Sequence, residues 1–198
     1  MARDFQISGP AMVSVKAGSA SQIASLTQLG LSDAPIKVTP RFFHEPLNVD
    51  SWGARYVPAD YQVFIADVEI SMTLIHVDRT VLQVCLALAA GNPLIATEGF
   101  MAVAGTRLGN NTARFAATNC YIGLNITSPI QGLPWRFLYA FLTGAQEFPL
   151  GTEKSIFNLS WKAIPYTNDP WGGGTAQPST SASLGAAGAI LWDHTPDS

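Results

Sequence analysis

Between Val68 and Leu74 apolar and polar residues alternate without a fault, and a helix signal follows almost at once. Val68, Ile70, Met72 and Leu74 fall on one side of an extended chain, and Glu69, Ser71 and Thr73 on the other. A period of two predicts a strand with one buried face. Asp78 then stands where an N-cap belongs, with a side-chain oxygen for the orphan N–H groups of a first turn. Val81, Leu82, Cys85, Leu88 and Ala89 follow at helical spacing; Gly91 suits a left-handed C-terminal residue, and Pro93 stops continuation. The spacing predicts a helix over Asp78 to Ala90.

Val84 and Leu86 widen the apolar arc of this helix, leaving Arg79, Thr80, Gln83, Ala87 and Ala90 outside it. A helix so apolar is buried on most sides. It either lies across a sheet as a core helix or divides its faces between the core and a neighbouring subunit. The run is well short of the ~20 apolar residues that a membrane span needs, so no membrane segment is expected.

Upstream, Asp50-Ser51-Trp52-Gly53 and Val57-Pro58-Ala59-Asp60 are turn-forming clusters around Arg55 and Tyr56. Trp52 and Tyr56 in so polar a loop are anchors onto their own domain or interface residues, since both types bury a large area while keeping a polar handle. The pattern D-x-W-G-x-x-x-V-P-A-D-Y-Q-V-F from Asp50, followed by V-E-I-S-M-T-L-I-H-V-D-R-T-V-L from Val68, resembles the tail tube (major tail) proteins of tailed bacteriophages. The matched stretch covers about a quarter of the chain. The resemblance implies packed sheets, hexameric rings stacked into a hollow tube, and DNA met only as passing cargo.

The composition supports assembly independently. Of 198 residues, 47% are hydrophobic and 13% charged, about half the usual ~25% charged share. A monomer in water generally carries more surface charge, so hidden surface is expected. The net charge is −3 with no run of Lys or Arg, which argues against a protein that works by neutralising phosphates. Cys85 and Cys120 form no C-x-x-C unit and read as two buried thiols, with a disulfide left open. Met1-Ala2-Arg3-Asp4-Phe5 shows no apolar leader core, so no secretory signal is expected, and synthesis in a host cytoplasm follows from the resemblance.

Elsewhere the pattern predicts short strands. Met12 to Lys16 alternates, with Val13 and Val15 on one face. Ser19 to Asp33 is ambiguous between a short helix and loop packing through Ile23, Leu26, Leu29 and Leu31. Ile36 to Phe43 is a strand in which Pro40 points to an edge or a bulge. Cys120, Ile122, Leu124 and Ile126 share a face. Trp135 to Leu142 is almost wholly apolar, as in a strand covered on both sides, and puts Trp135, Phe137, Tyr139 and Phe141 in one row. Phe157, Leu159, Trp161 and Ala163 alternate with Asn158, Ser160 and Lys162.

From Pro165 the chain is rich in Gly, Pro, Ser, Thr and Ala, a composition that does not fold alone. Ile190-Leu191-Trp192 near its end is an apolar cluster that a free tail does not need. Two parts are expected: a domain over 1–164 and an arm over 165–198 anchored on a neighbour through Ile190, Leu191 and Trp192.

Catalytic motifs are missing. His44, His76 and His194 are scattered, and there is no G-x-S-x-G, no H-E-x-x-H and no Gly-rich loop ending in Lys-Ser or Lys-Thr. No metal or cofactor site is expected, and the chain reads as a non-enzyme. The expected fold is mainly β: an antiparallel sandwich or barrel with one short helix and an extended C-terminal arm. The expected function is that of a virion structural protein, partnering itself and other virion proteins. Capsid decoration, neck, baseplate and type VI secretion tube proteins are alternatives within assemblies. A carbohydrate-binding β-sandwich using Trp135, Trp161 or Trp171 is the alternative from another class.

Overall fold

In a computed structural model of the chain, the described residues are 10–17, 23–48, 58–91, 108, 120–127, 134–143, 156–164, 166–167 and 177–178. They form β1 (Met12–Lys16), β2 (Thr27–Ser32), β3 (Lys37–Asn48), β4 (Pro58–Ile75), α1 (Arg79–Ala89), β5 (Ile122–Thr127), β6 (Pro134–Leu142), β7 (Phe157–Ile164), β8 (Tyr166–Thr167) and β9 (Gln177–Pro178).

Six strands close on themselves in the order β2-β1-β5-β6-β7-β4, and β4 returns to β2 through Leu31↔Ile75 and Ser32↔Leu74. Every pairing is antiparallel. The fold is therefore an antiparallel barrel with one short helix, the barrel form of the expected class. Closure removes the open edges that a flat sheet would present. Register shifts in the β1–β2 and β5–β6 pairings bend the strands as closure requires. At the β1 end, the Ala11 N–H donates to the Ser32 hydroxyl (2.7 Å), and the Ser32 N–H donates back to the Ala11 carbonyl (2.9 Å).

The inward faces follow the alternation of the sequence. Val13 and Val15, Val68, Ile70 and Leu74, Ile122, Leu124 and Ile126, and Leu159, Trp161 and Ala163 are all 2% exposed or less. They share one core with Val81, Leu82, Val84, Cys85 and Leu88 of α1. The helix packs against β6 and β2. Asp78 caps it: its Oδ1 accepts from the N–H groups of Thr80 (2.8 Å) and Val81 (3.2 Å), while its own N–H donates to the Leu29 carbonyl (2.9 Å). The last turn closes through the Gly91 N–H onto the Leu88 carbonyl, with Gly91 at φ 82°. Ala87 as well as Val84 is buried, and the exposed residues are Arg79, Thr80 and Gln83. The helix is thus a core helix whose open side is polar.

Two strand expectations change. The ambiguous segment holds β2, a strand whose Leu29 is buried and whose Gly30 lets the β4–α1 corner come close. A Cβ on Gly30 would lie 3.2 Å from both the Ile75 carbonyl oxygen and Val77 Cγ2. The single aromatic row on β6 is also split. Leu124 pairs with Phe137 but Ile122 pairs with Ala140. This shift leaves Phe137 in the main core and places Tyr139 with Leu138 in a second cluster, against Tyr121 and Ile164.

Candidate assembly surface

β4 is longer than its alternating segment, and the extra length makes the site. Its C-terminal part, Val68 to Leu74, pairs with β7. Its N-terminal part pairs with β3 alone, from Ala66 opposite Phe42 out to Pro58 opposite Asn48. Among the described residues, then, β3 and the first half of β4 form a hairpin that leaves the barrel and carries no second layer. Pro40 fits this place, because β3 is the edge strand.

The hairpin exposes large apolar groups. Phe42 is 50% exposed, Phe43 52% and Tyr61 60%. Phe42 shares the face of Val38, which packs on the core, and so prolongs the core-facing row past the end of the barrel. Phe43 points to the other face, next to a register shift between Phe43 and His44. Among the described residues, half of the six exposed large apolar side chains, the others being Met12, Leu26 and Ile156, sit on this one element. Such clustering marks an interaction surface rather than scattered surface hydrophobics.

The site residues expected from sequence were Trp52, Tyr56, Ile190, Leu191 and Trp192. All five lie outside the described residues. Trp52 and Tyr56 fall in sequence between the end of β3 and the start of β4. Phe42, Phe43 and Tyr61 were not among the candidates: Phe42 and Phe43 stood at the end of the strand read over Ile36 to Phe43, and Tyr61 directly after the turn cluster that ends at Asp60. The one available signal was length, since β3 and β4 continue beyond the reach of β7. Within the stretch read as an arm, Tyr166–Thr167 pairs with Gln177–Pro178.

Behind the hairpin, the outward face of β3, β4 and β7 is polar. Register sets Arg41 opposite Asp67, and Glu69 opposite Thr39 and Lys162. The ion pairs run diagonally: the Arg41 guanidinium donates to Glu69, and Lys162 Nζ lies 2.6 Å from Asp67 Oδ2. Thr73 donates to Asn158 Oδ1 at 3.0 Å. Where β2 and β3 part along β4, a shallow cleft of about 350 Å³ is lined by Pro35, Lys37, Ser71, Thr73, Asn158 and Ser160, among others. Among the described residues that line it there is no His, Asp or Glu.

Among the described residues no three His, Cys, Asp or Glu side chains come together as a metal site would need. Cys85 and Cys120 are free and buried. Burial pushes the Cys85 thiol far up, against the lowering effect of a backbone hydrogen bond, and it pushes Cys120 up as well. Both stay protonated and poorly nucleophilic. Trp161 is 1% exposed and Trp135 packs against the core, so neither offers a ring for a sugar to stack on.

No family model matches the chain, and no curated protein matches it. Among solved structures, a chain of the virion of a native gene transfer agent particle aligns with a TM-score of 0.39 at 8% identity, covering 86% of this chain and 96% of that one. A chain of the tail of an empty gene transfer agent particle, determined with C6 symmetry, aligns with a TM-score of 0.38 at 9% identity and the same coverages. Likeness of this degree assigns neither a partner nor a role. No described helix is long and apolar enough to cross a membrane.

Proposed function

We propose that this chain is a structural protein of a virion that assembles with itself, in the manner of a phage tail tube protein: hexameric rings stacked into a hollow conduit for DNA. The observation that carries the reading is the hairpin of β3 and the first half of β4. It is paired only with itself among the described residues, and it presents Phe42, Phe43 and Tyr61 to solvent. The low charged fraction and the D-x-W-G pattern in the adjoining loop point the same way. The protein acts without catalysis, and its binding energy goes into assembly with itself and with other virion proteins.

In this reading the hairpin and its loop, with Trp52 and Tyr56, reach a neighbouring subunit. Residues 165–198 form an arm anchored on a neighbour through Ile190, Leu191 and Trp192. Removing residues 186–198 is expected to weaken assembly, and unchanged assembly would remove the arm from the proposal. The test of the whole reading is negative-stain electron microscopy of the purified protein beside its mass in solution. Stacked six-fold rings or tubes support it. Closed trimers, or particles seen only on capsids, would favour a decoration protein. A stable monomer with Trp171 fluorescence quenched by sugars would favour the carbohydrate-binding alternative.

A further inference from the structure

Strand register assembles an outward apolar row that no single strand carries. Met12 on β1 lies opposite Leu31 on β2, and Leu31 lies opposite Ile75 on β4. Leu74 pairs with Phe157, so the next residue out on β7's side, Ile156, falls beside Ile75. Each member adjoins a buried residue, Val13, Ser32, Leu74 and Phe157 in turn, and alternation therefore turns all four outward. Met12 is 40% exposed and Ile156 38%, and Leu31 and Ile75 are partly exposed. With strands ~4.8 Å apart, the row is about 15 Å long. It crosses the seam where β4 returns to β2, so it exists only once the barrel has closed.

The row and the hairpin stand at opposite ends of one strand. From Ala66, opposite Phe42, to Ile75, β4 runs unbroken for about 30 Å at ~3.3 Å per residue. The two apolar patches therefore cannot cover each other within one chain. Charge matches them between chains. Glu45 stands two residues beyond Phe43 on β3, on the same face, and is exposed. Arg79 opens α1 and is exposed too. The bond from the Asp78 N–H to the Leu29 carbonyl holds the start of α1 beside the β2 part of the row. Neither Glu45 nor Arg79 has an ion-pair partner among the described residues. Each patch thus carries one unspent charge beside it, and the two are opposite in sign.

We infer that the row of Met12, Leu31, Ile75 and Ile156 receives the hairpin of a second copy of this chain, with Phe43 on the row and Glu45 against Arg79. The inference rests on the self-assembly reading and names the surface that the hairpin meets. Donor and acceptor are different surfaces at opposite ends of β4, so the contact is head-to-tail. Such a contact repeats from copy to copy instead of closing after two.

The test is complementation in the full chain, read as mass by light scattering. The hairpin variant is Phe42→Ser/Phe43→Ser and the row variant is Met12→Ser/Ile156→Ser. Each alone is expected to remain a single chain, while an equimolar mixture forms one-to-one pairs that do not extend, because each variant keeps the surface the other lacks. A row variant that assembles to the wild-type mass, or a mixture that stays as single chains, would overturn the docking. Charge exchange gives a second measurement that spares the apolar residues. Arg79→Glu and Glu45→Arg are each expected to raise the concentration needed for assembly on the order of tenfold, and the chain carrying both is expected to regain most of that loss. Arg79→Glu also suits the first turn of α1, where the helix dipole favours an acid. A double variant as weak as the two losses combined would overturn the placement of Glu45 against Arg79. A wild type that is a single chain by mass would overturn the self-assembly reading and the docking with it, whereas an assembling wild type matched by its row variant overturns the docking alone.

Discussion

β4 passes through two environments, a barrel half and a hairpin half. In its barrel half, Val68, Ile70, Met72 and Leu74 are at most 3% exposed, because a closed sheet and α1 lie over them. Along its other half, the partner strand leaves Phe42 and Phe43 half exposed. The clean alternation stops there, with Phe42 and Phe43 adjacent, and among the described residues the second layer stops with it. A strand pattern reports which residues share a face, and topology decides whether that face is a core or an interface.

Substitutions in the two halves sharpen this contrast. The largest loss of stability is expected for Trp161→Ala in β7, opposite Ile70, at about 3–5 kcal/mol, read from the denaturant midpoint. Gly30→Ala should cost about 1–3 kcal/mol in thermal unfolding, because its Cβ meets the Ile75 carbonyl and Val77. Asp78→Ala removes the cap of α1 and should cost about 1 kcal/mol, with faster amide exchange in the first helical turn, whereas Asp78→Asn retains most of the stability. On the hairpin, Phe42→Ser with Phe43→Ser should shift single-chain stability by no more than about 0.5 kcal/mol and still reduce assembly. A core-sized loss of stability from that pair would dissolve the distinction between barrel and hairpin.

Much of the barrel was legible. Strand-to-helix passage at Leu74–Asp78, the capping Asp78 and the alternation of Phe157 to Ala163 are local signals, and local physics decides them. β2 was not legible: Thr27-Gln28-Leu29-Gly30-Leu31-Ser32 lacks β-branched residues other than Thr27, and its glycine is explained only by the distant corner at Ile75 to Val77. The break in the β6 aromatic row comes from a register shift against β5, which no single strand can announce. The candidate surface was found one step away from its sequence signal. Turn residues drew attention to Trp52 and Tyr56, whereas the exposure of Phe42, Phe43 and Tyr61 follows from β4 running on after β7 has stopped.

The central claim is that the hairpin joins one copy of the chain to the next. The most direct measurement is the mass in solution, by light scattering, of the wild type beside Phe42→Ser/Phe43→Ser/Tyr61→Ser, with unfolding midpoints recorded for both. The predicted result is a large assembly for the wild type and a folded single chain with a nearly unchanged midpoint for the triple variant. A triple variant that assembles to the wild-type mass would contradict the claim.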